Sequence, residues 1–279
     1  MGKGLFLGFV AMSLLLFSCK KEESFEVGQG NNNTGSLLRK QVISLGGNDS
    51  VVATFGYDAD QRLVSVNTTG TVESISTTGS HTIERNTEGI IQTITTSDED
   101  VTGGSTTFTV NYDAASSRYT SKTGTYDVGG TTIKDSTAFT YDASGNIALQ
   151  EQFLDDGTTG GYLQYLKKTF AYNNDNIASA SVYLYNPSAG DYEQIGEQNF
   201  EYDDKVAPLN LSVEAFLLDD ASFANANNIT KITLTSLVDP DLDDVTTFTY
   251  VYDAEGRPVS SSFLVQSTGI PLPITYTYQ

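Results

Sequence analysis

Phe139-Thr140-Tyr141-Asp142-Ala143-Ser144-Gly145-Asn146-Ile147 reads as the end of one strand, a four-residue turn and the start of the strand that returns. Phe139 and Tyr141 are two apart, so in an extended chain they share a face while Thr140 points the other way. Ile133 precedes them on that face. Ile147, Leu149 and Phe153 continue an alternation downstream, with Glu151 as its one exception. Between the runs, Asp142 to Gly145 has the composition of a type I turn. Asp at the first position bonds nearby amides, and Gly at the fourth tolerates positive φ. The stretch is expected to form a β-hairpin with a bulge-like exit.

The cassette recurs. Phe55-Gly56-Tyr57-Asp58 leads to Leu63, Phe108 to Asp113 is a looser copy, and Phe170-Ala171-Tyr172-Asn173 leads to Ile177. Phe200-Glu201-Tyr202-Asp203 leads to Val206, and Tyr250-Val251-Tyr252-Asp253-Ala254-Glu255-Gly256 is the clearest late copy. Asn86-Thr87-Glu88-Gly89 keeps the turn without the aromatics. Tyr112, Tyr141, Tyr172 and Tyr202 are 29, 31 and 30 residues apart, a period that marks one supersecondary unit per repeat. With two strands per unit, the strands run to roughly 10–12 residues, about twice the usual mean. The expected fold is all-β, a long antiparallel meander of about 14–17 strands in hairpin repeats, rolled into a barrel-like or curved-sheet soluble domain. Only Asp219 to Asn227 suggests a short helical turn. Threonine is dense in the first half and suits a solvated sheet face.

The first residues lie outside that pattern. Lys3 precedes an apolar run, Leu5 to Phe17, too short to span a bilayer, and Leu16-Phe17-Ser18-Cys19 follows. Residues 1–18 are expected to be a signal peptide, residues 19–36 an acylated Cys and flexible tether, and residues 37–279 one β domain. Cys19 is the single cysteine of the chain, so no thiol remains for disulfides, metal clusters or nucleophilic catalysis. The formal charge is −20, and loss of Lys3 with the leader makes it −21. Such a surface repels nucleic acid and anionic headgroups.

Two resemblances rest on these residues. Ser18-Cys19 at the end of a signal core resembles the bacterial lipobox, which implies a diacylglyceryl thioether on Cys19 and a lipid bilayer as partner. Lys20-Lys21-Glu22-Glu23 is similar to the signal that sends Bacteroidota lipoproteins to the outer cell surface, which implies a lipid-anchored protein of the outer membrane. The cassettes resemble YD repeats of Rhs-type shells. Tyr202-Asp203-Asp204-Lys205, Pro208, Asn227-Asn228-Ile229-Thr230 and the Tyr250 to Pro258 hairpin resemble a family of uncharacterised Bacteroidota lipoproteins with a porin-like fold. That family implies fold and location and carries over no functional residues. A membrane-spanning wall is not expected, because one strand face reads Thr132, Lys134, Ser136, Ala138, Thr140 and the other includes Asp135 and Thr137.

Chemistry-bearing groups are sparse. His81 is the only histidine and is expected to be a surface or strand residue without catalytic role. Asp58, Asp113, Asp142, Asp203 and Asp253 are expected to form turns. Asp239, Asp241 and Asp243 alternate like the start of a calcium loop, but the sixth position is Asp244 and the twelfth Tyr250, so an acidic hairpin loop is the plainer expectation. Tyr185 and Tyr192, flanking the turn at Asn186 to Gly190, are candidate contacts for a glycan or protein, or extensions of the core. No cofactor is expected. The expected function is a non-enzymatic binding module, with a structural envelope component or an envelope glycoside hydrolase as alternatives.

Overall fold

The computed structural model describes residues 37–279 apart from 73–74, 99–103, 156 and 159. The expected leader, Cys19 and tether lie outside the described residues. Among the described residues the strands are β1 (Leu38–Gly46), β2 (Asp49–Tyr57), β3 (Leu63–Val72), β4 (Ile75–Arg85), β5 (Ile91–Asp98), β6 (Gly104–Asp113), β7 (Arg118–Val128) and β8 (Thr131–Tyr141). The second half adds β9 (Ile147–Asp155), β10 (Leu163–Asn173), β11 (Asn176–Asn186), β12 (Asp191–Val206), β13 (Asn227–Ser236), β14 (Asp244–Tyr252), β15 (Pro258–Val265) and β16 (Pro271–Tyr278). Every strand pairs antiparallel with its sequence neighbours, and β1 pairs with β16 to close the barrel. Among the described residues, closure gives each strand a partner on both sides.

The cassettes build one end of the barrel. Asp142 Oδ1 accepts the amides of Ser144 and Asn146 at 2.8 and 2.9 Å, and Asp58, Asn86 and Asp253 repeat this geometry on residues two and four positions ahead. Gly145, at φ 88°, occupies the left-handed region that the fourth turn position requires. Gly145→Val should therefore lower stability by about 1–3 kcal/mol, and Asp142→Ala by about 1 kcal/mol through lost turn bonds. A denaturation series in which Gly145→Val is neutral would remove the turn assignment.

Each cassette turn is followed by a bulge that the pairing makes explicit. Thr140 pairs with Leu149 but Tyr141 pairs with Ile147, so Ala148 is the extra residue. Val64, Gln92, Thr120, Ala178, Thr230, Val259 and Arg39 occupy the same place in the other odd-numbered strands. An extra residue shifts the side-chain period by one. Inward positions in these strands therefore read i and i+3: Leu63 and Val66, Ile91 and Ile94, Tyr119 and Lys122, Ile147 and Gln150, Leu38 and Gln41, all buried. This corrects the sequence reading of β9. Gln150, Gln152 and Leu154 face inward, opposite Phe139, Thr137 and Asp135, while Leu149, Glu151 and Phe153 face outward.

Cassette tyrosines tie the strands at this end. The hydroxyls of Tyr57, Tyr141, Tyr172, Tyr202, Tyr250 and Tyr278 donate to the carbonyls of Leu38, Tyr119, Ile147, Ile177, Ile229 and Pro258, near the start of the neighbouring strand, at 2.7–3.0 Å. Burial raises the Tyr141 hydroxyl to about 12 despite the nearby Arg118 guanidinium, so it stays a neutral donor.

One expected turn is absent. β12 runs through Tyr202 and Asp203 to Val206 without reversing, and residues 207–226 then fold into the barrel before β13 begins. Asp203 instead accepts the Asn228 side-chain amide at 3.2 Å and the Tyr252 hydroxyl. The inserted segment carries two 3-10 turns, Ser212–Leu218 and Ala221–Ala224. The second lies within the expected helical stretch, and the first was not anticipated.

Candidate functional site

Residues 207–226 form a plug at the cassette end, where both β1 begins and β16 ends. Ala215, Phe216, Leu217, Leu218, Phe223 and Ala224 are buried against the inner wall. Phe216 meets Phe170 edge to face at 4.9 Å. Asn225 caps the other side, its side-chain oxygen accepting the Ile177 amide at 2.8 Å.

Two ion pairs fasten the plug. Arg85 grips Glu214 with both terminal nitrogens at 2.7 Å, and the Tyr119 hydroxyl donates to the same carboxylate at 3.1 Å. Burial opposes the Arg85 charge, but Glu214 more than compensates and holds its pKa above the ordinary value. Lys122, whose side chain is 3% exposed, donates to the Leu217 carbonyl at 2.9 Å and to Asp219 at 2.5 Å, with its ammonium 4.8 Å from the Phe108 ring centre.

Above the plug the lumen is polar. Gln150 reaches Asp219 at 3.4 Å, and Gln152 donates to Asp135 Oδ2 at 2.6 Å. Asp135 is 6% exposed and its other oxygen has no hydrogen-bond partner. Burial pushes the Asp135 carboxyl above the usual carboxylate range, and the Asp219 charge adds to this. Gln41, 1% exposed on the opposite wall, leaves both amide atoms unpartnered. Sequence reasoning missed Lys122, Gln150, Gln152 and Asp219, whose inward aim depends on the bulges and on the plug. The signal available was the repeated offset of the first aliphatic after each turn.

Asp220 gives the plug a pH dependence. Its carboxyl accepts the amide and hydroxyl of Ser222, and burial raises it to about 6. In the unfolded chain it titrates near 3.8, so between about pH 4 and 6 unfolding releases a proton and stability falls as pH rises. Asp220→Asn keeps a capping oxygen and removes that cost. The stability gained by the variant should be smallest near pH 4, grow to pH 6 and then level off in parallel urea titrations. A pH-independent difference would show that the carboxyl is not raised.

The residues singled out in the sequence fall elsewhere. Tyr185 and Tyr192 pair across the β11–β12 hairpin on the outer face, at the end opposite the plug, with ring centres 5.5 Å apart. Lys167 lies 4.4 and 4.5 Å from the ring centres of Tyr183 and Tyr192. Tyr162 and Tyr165 are exposed near the same end. His81 is a strand residue aimed inward, with Nδ1 3.1 Å from the Thr96 hydroxyl. Asp239 accepts the Asp241 amide at 3.0 Å and Asp243 accepts the Ser236 amide at 2.7 Å, so both serve the β13–β14 loop. No group of three or more His, Cys, Asp or Glu side chains is placed to hold a metal among the described residues.

No protein-family model matches this chain, and no curated protein matches it. Solved structures do. A porin-like protein from Bacteroides uniformis superposes with a TM-score of 0.53 at 16% identity, covering 87% of this chain and 96% of its own. A porin-like protein from Bacteroides vulgatus superposes at 0.54 and 12% identity, covering 88% of this chain and 99% of its own. At these identities the likeness is one of fold: the chain is an all-β closed meander barrel of the kind those porin-like proteins share.

Proposed function

We propose that the protein is a non-enzymatic binding module of the cell envelope, held to the outer membrane by an acylated Cys19 and displayed at the cell surface. The observation that carries this reading is the polarity of the barrel. β1 starts at the plugged end and the Tyr183, Tyr185 and Tyr192 patch lies at the opposite mouth, so an anchor upstream of Leu38 would leave that patch on the far side of the barrel. Acyl chains on one Cys supply about 0.8 kcal/mol per buried methylene, enough for firm anchoring when several are present. The wall itself does not suit lipid: Ser105, Thr107 and Thr109 of β6 and Thr132, Lys134 and Thr140 of β8 are exposed. A half-buried tyrosine patch with a cation over its rings suits a sugar face or a protein partner.

An envelope glycoside hydrolase is the second reading, favoured by Asp135 and Asp219 inside the lumen. Asp219, however, is tied to Lys122 and Gln150 as part of plug docking, so it does not stand free as the second carboxylate of a hydrolytic pair. Metabolic palmitate labelling should mark the wild type and not Cys19→Ser; equal labelling of both would overturn the anchor. Tyr185→Ala with Tyr192→Ala should abolish retention on an envelope-glycan array while leaving the melting temperature in place. A large fall in melting temperature would make these rings structural and leave the reading of a structural envelope component.

A further inference from the structure

We propose that the lumen above the plug is a binding site for a small amphiphilic organic cation, whose ammonium or guanidinium head pairs with Asp135 and whose apolar body lies toward the open mouth. The site is separate from the outer tyrosine patch and stands or falls without it.

Four observations converge. Asp135 points inward from β8, with one oxygen fixed by Gln152 and the other buried without a partner. A buried carboxylate oxygen with no donor is costly unless a counter-charge meets it. Asp135 itself is 6% exposed, while Asp219, held among the inward side chains Lys122 and Gln150, is 58% exposed on the lumen side of the plug. Solvent therefore enters above the plug.

Lys122 gives its hydrogen bonds to Asp219 and the Leu217 carbonyl and none to Asp135. Burial and the Asp219 charge raise the Asp135 carboxyl, Gln152, Lys122 and Thr137 lower it, and the net direction is upward. The groups facing the lumen around Asp135 are Lys122 and Tyr126 of β7, Thr137 of β8, Gln150 and Gln152 of β9, Lys168 of β10 and Asp219 of the plug. Of the two lysines, Lys122 is engaged with Asp219, and Lys168 lies past Gln150 on the side of Asp220.

The walls fit an apolar body. Gly124 pairs with Asp135 across β7 and β8, and a Cβ at Gly124 would meet one side of the Phe108 ring at 2.8 Å, so that ring, which also carries the Lys122 ammonium 4.8 Å from its centre, closes over the glycine beside the carboxylate. A carboxylate next to an aromatic ring is a favourable setting for an ammonium. Toward the mouth, Ile133, Leu154 and Leu166 face inward and are only partly buried. Partly exposed aliphatics lining a lumen gain by covering apolar surface.

The test uses the full chain and three probes of matched length, hexylamine, hexanol and hexanoate, followed by calorimetry at neutral pH. Hexylammonium should bind, with hexanol and hexanoate at least about tenfold weaker, the ratio that 1.4 kcal/mol supplies. Asp135→Asn, which keeps the side-chain shape, should lose hexylammonium binding by a similar factor. Leu166→Trp should also block it while Asp135 is intact, which keeps the test decisive if the Asn variant folds poorly. Tyr185→Ala with Tyr192→Ala should leave it unchanged. Equal binding by wild type and Asp135→Asn, as expected of amines scattered over an acidic surface, would overturn the proposal, as would hexanoate binding as tightly as hexylamine.

Discussion

Glu214→Ala should lower the unfolding free energy by about 3–5 kcal/mol, the cost of leaving a buried charge without its partner. Arg85 is 7% exposed and Glu214 24%, so neither is a surface ion whose pairing water would replace. With Glu214 gone, the guanidinium keeps only the carbonyls of Gly89 and Leu63, at 2.9 and 3.3 Å, and its Nε is already unpartnered. Neutral carbonyls do not restore the lost Coulomb term. Tyr119 loses an acceptor at the same time, while still receiving the Ile91 amide at 3.1 Å. Replacing both ions together, Arg85→Met with Glu214→Leu, should recover most of the loss, because an apolar pair of similar volume removes the desolvation cost as well. Urea denaturation of the two variants measures both quantities. A loss of no more than about 1 kcal/mol in Glu214→Ala, the value of a surface pair, would show that the plug is not fastened there.

The barrel was legible because its units are local. Phe139-x-Tyr141 followed by Asp142 and Gly145 encodes strand, turn and return within nine residues, and repeating the unit leaves a meander little freedom. Closure was not legible, since pairing of Ile43 with Ile274 depends on the accumulated tilt of every strand between them. The bulges lay between these cases. Glu151 broke the alternation in the sequence because Ala148 had shifted it, and the apparent exception was an outward residue in register. Once the shift is known, Gln150 and Lys122 become lumen residues. The plug was hidden for a different reason. Tyr202-Asp203 has the look of another turn, but Asp203 bonds Asn228 and Tyr252 across the sheet instead of closing a hairpin. Its choice is made by residues 25 and 49 positions away, beyond the reach of any local pattern.

Phe216→Ala should cost about 3–5 kcal/mol, the range for emptying a buried aromatic site that cannot collapse. The ring is 2% exposed and packs its edge on Phe170, a geometry worth about 0.5–1.5 kcal/mol beyond the area it buries. Its surroundings are rigid on one side, where Phe170 belongs to a strand paired on both edges. On the other side the plug has little structure of its own. Ser212–Leu218 is a 3-10 turn, longer than such turns usually run. Its boundaries hold Ser212 and Asp219 at φ 49° and 60°, Asp219 as a left-handed cap bonded back to its own turn and Ser212 in a conformation that costs energy for a non-glycine residue. Phe216 is the buried contact between the two ion pairs, so its loss should be felt by the whole barrel. The expected record is a single urea transition moved to lower denaturant with an unchanged slope. If the slope falls, or if protease cuts inside residues 207–226 while the midpoint barely moves, the plug opens independently of the wall. In that case the energy lost at Phe216 is capped by the energy of plug docking, and the barrel must be stable without it.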